Sequence, residues 1–421
     1  MGPKRRIPSG YALFGERQFR NLWGANLVLT LGLVMLMLGV SWTMTSLTDN
    51  PVLVSMVQTM MSLPFVIFGI PVGVASDALG HRPLLLMSQF WMLAVTGLMG
   101  VIALTGGWDF TPALLLSMMF LVGIGVVVQQ AAWKPFLHSL VPEDELVAAI
   151  SLNSLSNKIS QTLGPILGGY LMGVAGTAVV LFTRGVSHGV MIVAVLSESK
   201  RDAVRVRSDR AAGHSWRDPG HSLRDGWNLV RRSAALHGPM VRCALLMAPC
   251  SGVLALLPLE ARENIQTGAV GYGGLLAALG VGMTAGVSMM PLVQSRIRLN
   301  PVSGLMLGVF ALCTLGVSQW DSMLLDATFL FFFGFAWSVL SVSHQFAVQV
   351  SAPDEMRGLM TSLYALVLQG STALGSLGFG VLAQYTGVSR SILIAGVVAM
   401  SGLSLVGVYR IPDADPGPSA G

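Results

Sequence analysis

Long apolar runs broken by short polar segments fill this chain from end to end. Crossing a bilayer as a helix takes about 20 consecutive, mostly apolar residues. Twelve stretches meet that requirement: 21–47, 51–75, 82–105, 112–137, 146–174, 177–197, 238–259, 270–294, 301–319, 322–349, 357–385 and 389–409. The breaks coincide with turn-forming residues, at Asp49-Asn50-Pro51, Gly106-Gly107-Trp108, Val141-Pro142-Glu143, Asn300-Pro301 and Ala352-Pro353-Asp354. The pattern predicts an all-α membrane protein of twelve transmembrane helices.

Composition agrees. The 421 residues are 53% hydrophobic and only 11% charged, whereas a soluble domain carries about 25% charged residues. Water does not solvate so uncharged an exterior, so the outer surface is expected to face lipid. The 49 glycines suit helices that pack closely in a bilayer. Lys4, Arg5 and Arg6 lead into the first apolar run without a small-residue cleavage site, which predicts a first membrane helix rather than a removed signal peptide.

The net charge of +5 reads as membrane topology, not nucleic-acid binding. With the N-terminus in the cytoplasm, the external loops hold only Arg262 and Arg390, while Lys158 and Arg184 lie within helices. Every other Lys and Arg falls on the cytoplasmic side, ten of them between Lys200 and Arg242. This asymmetry predicts that both termini are cytoplasmic, in a bacterial inner membrane. The basic segment 198–237 divides an N-terminal bundle (1–197) from a C-terminal bundle (238–421, ending in a short polar tail), each of six helices. Within it, 221–237 is either an amphipathic surface helix presenting Leu223, Trp227, Val230 and Ala234, or a plain tether.

The two halves repeat. One constant offset carries Gly123 onto Gly334, Pro142 onto Pro353, Ser151 onto Ser362, Leu152 onto Leu363, Gly164 onto Gly375 and Gly169 onto Gly380. Matches of Gly and Pro mark backbone geometry, so a duplicated architecture is expected.

Several function classes drop out. Pro, Trp, Asn and Ser precede the lysines Lys4, Lys134, Lys158 and Lys200, so no Gly-Lys phosphate loop exists. The seven histidines are scattered and form no HExxH. Cys243 and Cys250 are separated by roughly 10 Å along a helix, too far to bridge; with Cys313 they read as small buried hydrophobes. No enzyme, cofactor or metal site is expected. A channel needs no two-half repeat, which leaves secondary transport, with a small-molecule substrate as partner.

The loop between the second and third helices reads Gly73-Val-Ala-Ser-Asp77-Ala-Leu-Gly80-His81-Arg82. Gly73 permits close helix packing, Asp77 ends a helix where an anion can meet a helix N-terminus or an arginine, Gly80 allows a tight turn, and Arg82 marks the cytoplasmic face. The fifth helix carries Gly164-Pro165-Ile-Leu-Gly168-Gly169, small residues through which helices five and eight can touch, with Pro165 bending the helix. The first motif resembles the signature loop of the major facilitator superfamily, with His81 replacing one basic residue; the resemblance implies a latch on the cytoplasmic side. The second resembles the GPxxGG element of that family's antiporters, with Ser151 and Ser160 at upstream positions usually held by glycine.

A wider resemblance runs through Phe19-Arg20-Asn21-Leu22-Trp23, Trp42-Thr43-Met44-Thr45-Ser46-Leu47-Thr48, Val141 to Leu146, Leu152-Asn153-Ser154, Tyr272-Gly273, Arg357-Gly358, Gln369-Gly370 and Leu374-Gly375. Together these are similar to the transmembrane secretion effector branch, which includes enterobactin-exporter-like and macrolide-efflux-like proteins. That resemblance implies the two-bundle fold and proton-driven export of siderophores, antibiotics or similar amphiphiles by a monomer. An importer or lipid flippase on the same fold, and a non-transporting sensor or assembly protein, are the alternatives.

Polar residues inside apolar helices mark function. Lys158, with Gln161 one turn on, is a candidate for an anionic or carbonyl-rich substrate. Helices one, four, seven and ten line the cavity in the family, and on them stand Asn26, Thr30, Gln129, Gln130, Ser251, Ser341, His344 and Gln345, joined by Gln369 of helix eleven. Trp42, Trp133, Trp337 and some of the 24 methionines are expected to supply apolar walls. Arg184 and His188, four apart on one face, read either as an interhelical polar lock or as proton-coupling groups. Asp49, Glu260, Glu263, Asp321 and Asp326 fall near predicted helix ends rather than in mid-helix; Asp326 is the acid kept as a coupling candidate. Protons as coupling ion follow from the resemblance alone.

Overall fold

The computed structural model describes residues 13, 15–105, 111–142, 145–197, 219–294, 299–317, 319–320, 322–353 and 356–409. Among them there is helix and no strand. The crossings are α1 (Arg17–Leu47), α2 (Pro51–Leu79), α3 (His81–Thr105) and α4 (Pro112–Leu140). One 51-residue helix, Leu146–Leu196, follows; Gly176 breaks it with φ 79° and ψ 178°, giving two crossings, α5 (146–175) and α6 (177–196). The second half holds α7 (Ala234–Glu263), α8 (Ala269–Gln294), α9 (Leu299–Gly316), α10 (Met323–Ser351), α11 (Arg357–Thr386) and α12 (Val388–Ser401), the last prolonged by a turn at Gly402–Leu405. Most are long and apolar enough to span a membrane, and α9 is a shorter apolar helix. These are the twelve expected helices.

Their ends follow turn chemistry. Asn50 caps α2 by accepting from the Val52 N–H at 2.9 Å, with Pro51 at the first helical position. Thr111 caps α4 through the Leu114 N–H at 3.2 Å, ahead of Pro112. Gly80 closes α2 at φ 88°, a conformation that an L side chain rarely adopts. Several boundaries differ from expectation: α1 begins at Arg17 and not at 21, α2 runs to Leu79 past 75, α12 ends at Ser401 short of 409, and α7 spans Ala234–Glu263 in place of 238–259, so Arg242 stands two turns inside it.

The repeat is visible in packing. Gly123 of α4 abuts Pro64 and Met61 of α2, and its equivalent Gly334 of α10 abuts Leu279 and Met283 of α8. Gly164 of α5 meets Val34 of α1, as Gly375 of α11 meets Ala248 of α7. Gly169 of α5 meets Ala269 and Gly273 of α8, as Gly380 of α11 meets Pro51 and Ser55 of α2. The offset also pairs Gly176 with Gly387, and both turn with positive φ, 79° and 87°. With ψ of 178° and 160°, this backbone region is essentially closed to residues with a Cβ. The same solution to a sharp reversal therefore occurs at matched positions in the two halves.

Between α6 and α7 the described chain resumes as a surface helix, Pro219–Arg232. Gly226 and Val230 are buried, and a Cβ on Gly226 would come within 2.7 Å of Leu359 of α11. Trp227 is 40% exposed with the Arg231 guanidinium 5.6 Å above its ring. A surface helix is observed, over 219–232 and not 221–237; of the expected face only Val230 is buried, Trp227 and Ala234 are exposed, Ala234 belongs to α7, and the side chain of Leu223 lies outside the described ones.

A cleft between the two halves

The halves meet at one end of the molecule, the end of the α1–α2 and α7–α8 turns. There the Trp42 ring of α1 stacks on Tyr272 of α8 at 5.8 Å and 24°. A Cβ on Gly169 would lie 2.8 Å from the Ala269 carbonyl oxygen and 3.1 Å from Gly273 Cα, so α5 and α8 touch backbone to backbone. On the opposite side of the interface Thr59 Oγ1 of α2 lies 2.8 Å from Ser376 Oγ of α11 and donates to the Ala373 carbonyl at 3.3 Å. Gly164 and Gly168, by contrast, pack on Val34 and Met35 of α1 inside their own half.

Toward the other end, that of the α2–α3 and α4–α5 turns, the same helix faces part. Among the described residues the last polar contact between α5 and α8 is Thr162 Oγ1 to Thr284 Oγ1 at 3.3 Å. One turn further on the same stripes stand Lys158, half-buried, and Ser288, exposed; Ser154 beyond Lys158 is exposed too. Between α2 and α11, a Cβ on Gly370 would meet Val66 at 3.8 Å, and further along Gly73 has nothing within 4 Å. A wedge-shaped cleft therefore opens between the halves at this end.

The residues expected at the site differ in exposure. Lys158 and Gln369 are half-buried, and Gln161 is exposed with its backbone against Gly280 of α8. Gln130 and Gln345 are exposed, and Gln129 is half-buried with its Oε1 enclosed and without a hydrogen-bond partner. Trp337 is half-buried with its ring edge-on to Phe333 at 6.4 Å.

Several expected cavity residues, Asn26, Thr30, Trp133, Ser251 and His344 among them, are engaged within their own half. Asn26 is 3% exposed, and its amide donates to Asn153 Oδ1 at 3.1 Å within the first half. Asn153 Oδ1 also accepts from Trp133 Nε1 at 3.0 Å, and Trp23 Nε1 donates to the Leu152 carbonyl at 2.9 Å. These bonds fasten α1 and α4 to α5 and leave neither Asn26 nor the Trp133 N–H for a ligand. His344 is 2% exposed inside the second half, where it shares a small enclosed cavity with Arg242, Leu307 and Leu340. A helix of period 3.6 carries two buried faces here, one to the cleft and one to its own bundle, and spacing does not tell them apart.

The other membrane-embedded charges are also internal. Arg184 is 1% exposed and donates through Nη1 to the Leu29 carbonyl of α1 at 2.5 Å. His188 Nδ1 lies 2.7 Å from Gln89 Oε1 of α3. The pair ties α6 to α1 and α3. In the second half Arg242 donates to Asn300 Oδ1 at 2.8 Å and Ser303 Oγ at 2.7 Å of α9. Glu260 and Asp326 are both buried at the joined end, in the last turn of α7 and the first turn of α10. Glu260 Oε2 accepts from Asn264 at 2.6 Å and from Ser389 at 3.3 Å. Arg242 and Gln89 are polar residues that spacing did not single out, whereas Asn153 lies in the Leu152-Asn153-Ser154 motif and Glu260 falls near a predicted helix end.

The motif loop is tied down by hydrogen bonds at the open end. Ser76 Oγ donates to the Ala131 carbonyl of α4 at 3.2 Å and lies 3.0 Å from His81 Nδ1, while Arg82 donates to the Val195 carbonyl at the end of α6, at 3.0 Å. The side chain of Asp77 lies outside the described ones. The close packing expected at Gly73 does not occur in this structure, because its stretch of α2 borders the cleft.

Residues 8–419 match the family model described as transmembrane secretion effector. The chain is 23% identical over 371 residues to an uncharacterized MFS-type transporter, YfiS, of Bacillus subtilis, covering 85% of each. It is 20% identical over 395 residues to macrolide efflux protein A of Streptococcus pyogenes, covering 90% of this chain and 93% of that one. Among solved structures it resembles a bacterial homologue of the human lysosomal transporter Spinster in an inward-facing, unoccupied conformation (TM-score 0.71, 11% identity, 93% of this chain and 96% of that one). It also resembles the nucleoside transporter NupG (TM-score 0.72, 11% identity, 94% and 99%).

Proposed function

The chain belongs to the transmembrane secretion effector family of the major facilitator superfamily, and on that premise we propose that this membrane transporter is a proton-coupled exporter of small amphiphilic molecules. The observation that carries the reading is a cleft that opens at one end of the molecule and is sealed at the other. The open end bears Arg82, Lys134, Arg231, Arg232 and Arg357, against Arg262 and Arg390 at the sealed end. By the positive-inside rule the open end is cytoplasmic, with both termini on that side. The structure is then the loading state of an exporter, and release requires the halves to rock about the apex until the outer contacts part and the cytoplasmic ones form.

The domain plan, two six-helix halves joined through the basic segment 198–237, fits this motion, since each half is tied internally by its own polar bonds. The latch residues Gly73, Asp77, Gly80, His81 and Arg82 sit on the side that must close. Gly164, Pro165, Gly168 and Gly169 keep α5 close to both α1 and α8 across the hinge. Proton coupling is assigned to Asp326, an acid buried in the first turn of α10, with Glu260 of α7 buried at the same end. Arg184 and His188 act as an interhelical lock.

The test uses everted membrane vesicles containing the full chain and three labelled conjugates of one steroid acid, ending in a sulfonate, a neutral methylamide or a quaternary ammonium group. Respiring vesicles are expected to concentrate at least one conjugate and to release it when the proton gradient is collapsed. Asp326→Asn is expected to abolish that accumulation while leaving exchange of the conjugate down its own gradient. Accumulation that survives loss of the proton gradient would remove the coupling, and failure to move any conjugate with monodisperse protein would remove the export reading.

A further inference from the structure

The cleft has a polarity of its own at its apex. Contact between α5 and α8 persists as far as Thr162 and Thr284, and Lys158 follows one turn later on the same stripe of α5. Across the molecule, contact between α2 and α11 persists as far as Val66 and Gly370, beside Gln369. The repeat offset that carries Gly164 onto Gly375 carries Lys158 onto Gln369. The two residues therefore occupy equivalent positions in the two halves and flank the apex, one with a fixed cation and the other with an amide.

No acid whose side chain is described pairs with that cation. Among the described residues Lys158 has no hydrogen bond or ion pair. The described acids within the membrane helices are remote from it in the fold: Glu260 and Asp326 are buried in the second half at the sealed end, and Glu263 is exposed at that same end. Water entering the open cleft solvates the ammonium in this state. Closing the cleft expels that water, and an ammonium enclosed without a counter-charge is strongly unfavourable. Lipid offers no relief, because the stripe that holds Lys158 is the one that must meet α8.

We infer that the exported molecule carries an acidic group, a carboxylate, sulfonate or phosphate ester, which Lys158 neutralises, and that the cleft closes only when this group is in place. The inference rests on the export reading above. The anion satisfies the cation at the moment water leaves, so an empty carrier is held open to the cytoplasm and a loaded one is free to turn over. Gln369, with both a donor and an acceptor, is positioned to bind a neutral polar group of the same molecule from the opposite half.

The three steroid conjugates separate this inference from the reading it rests on. Wild-type protein is expected to favour the sulfonate over the neutral and quaternary conjugates by about tenfold or more, the scale of one charged hydrogen bond in a closed site. Lys158→Arg should keep that preference, Lys158→Met should erase it, and Lys158→Glu should turn it toward the quaternary conjugate. Export is read as a ratio between conjugates, so a general loss of folded protein leaves the readout intact. Wild-type preference for the neutral or quaternary conjugate, or a sulfonate preference unchanged in Lys158→Met, overturns the inference and leaves the export reading standing. Movement of none of the three, with monodisperse protein, overturns both.

Discussion

Single polar side chains do two different jobs in this protein, and burial separates them. Asn153 accepts from Asn26 and Trp133 with one oxygen, so its loss strands two donors in a medium without water. Asn153→Ala is expected to destabilise the first half by about 1–3 kcal/mol, read as a lowered midpoint of thermal unfolding in detergent. An unchanged midpoint would show that these donors find other partners. Lys158 has no such partner, and Lys158→Met should leave the midpoint close to wild type while changing which conjugates are exported. Arg184 and Lys158 look alike in sequence, each a lone cation in an apolar run. The first bonds to a backbone carbonyl of α1, and the second stands where two helices part.

At the scale of elements, glycines decide how near two helices come. Gly169 and Gly273 are pressed together across the α5–α8 contact, whereas Gly73 on α2 stands in open space. The open position is informative, because a major facilitator that rocks must bring the cytoplasmic half of α2 against α11 in its other state. Gly73→Leu is therefore expected to leave stability in the cleft-open state within about 0.5 kcal/mol of wild type but to block export. Equal loss of stability and export would mean that Gly73 is needed for folding instead. The motif GPxxGG and the signature loop were both legible in the sequence, as was the reversal between α5 and α6. The direction each glycine faces was not: Gly164 and Gly168 serve α1, and only Gly169 serves α8. Neighbouring positions on one helix point 100° apart, so a motif written in a line serves two partners at once.

For the whole molecule, duplication governs the fold, and the proposed rocking of the two halves governs what can be tested. The matched pairs Gly123 and Gly334, Gly164 and Gly375, and Gly169 and Gly380 make equivalent contacts in the two halves, which a merely glycine-rich chain has no reason to do. Closure at the outer end gives a direct readout. Thr59 and Ser376 are 2.8 Å apart here, and the native cysteines Cys243, Cys250 and Cys313 are all buried. Cysteines introduced as Thr59→Cys and Ser376→Cys are expected to cross-link in the resting protein, and an exportable sulfonate conjugate should lower the yield by populating the outward-open state. A yield indifferent to every transported conjugate would argue that this contact never opens.

The number of crossings, the division into halves and the basic end were fixed by the chain alone, because each follows from a local or summed property: the run length that spans hydrocarbon, the count of charges per loop, and the recurrence of Gly and Pro. Which polar residues face the passage was decided only in three dimensions. Membrane helices are apolar on every side, so they lack the polar stripe that betrays a solvent face in a soluble protein. Asn26, His344 and Arg184 turned into their own bundles while Lys158 and Gln369 flanked the apex, and that choice depends on how one helix is rotated against its neighbours.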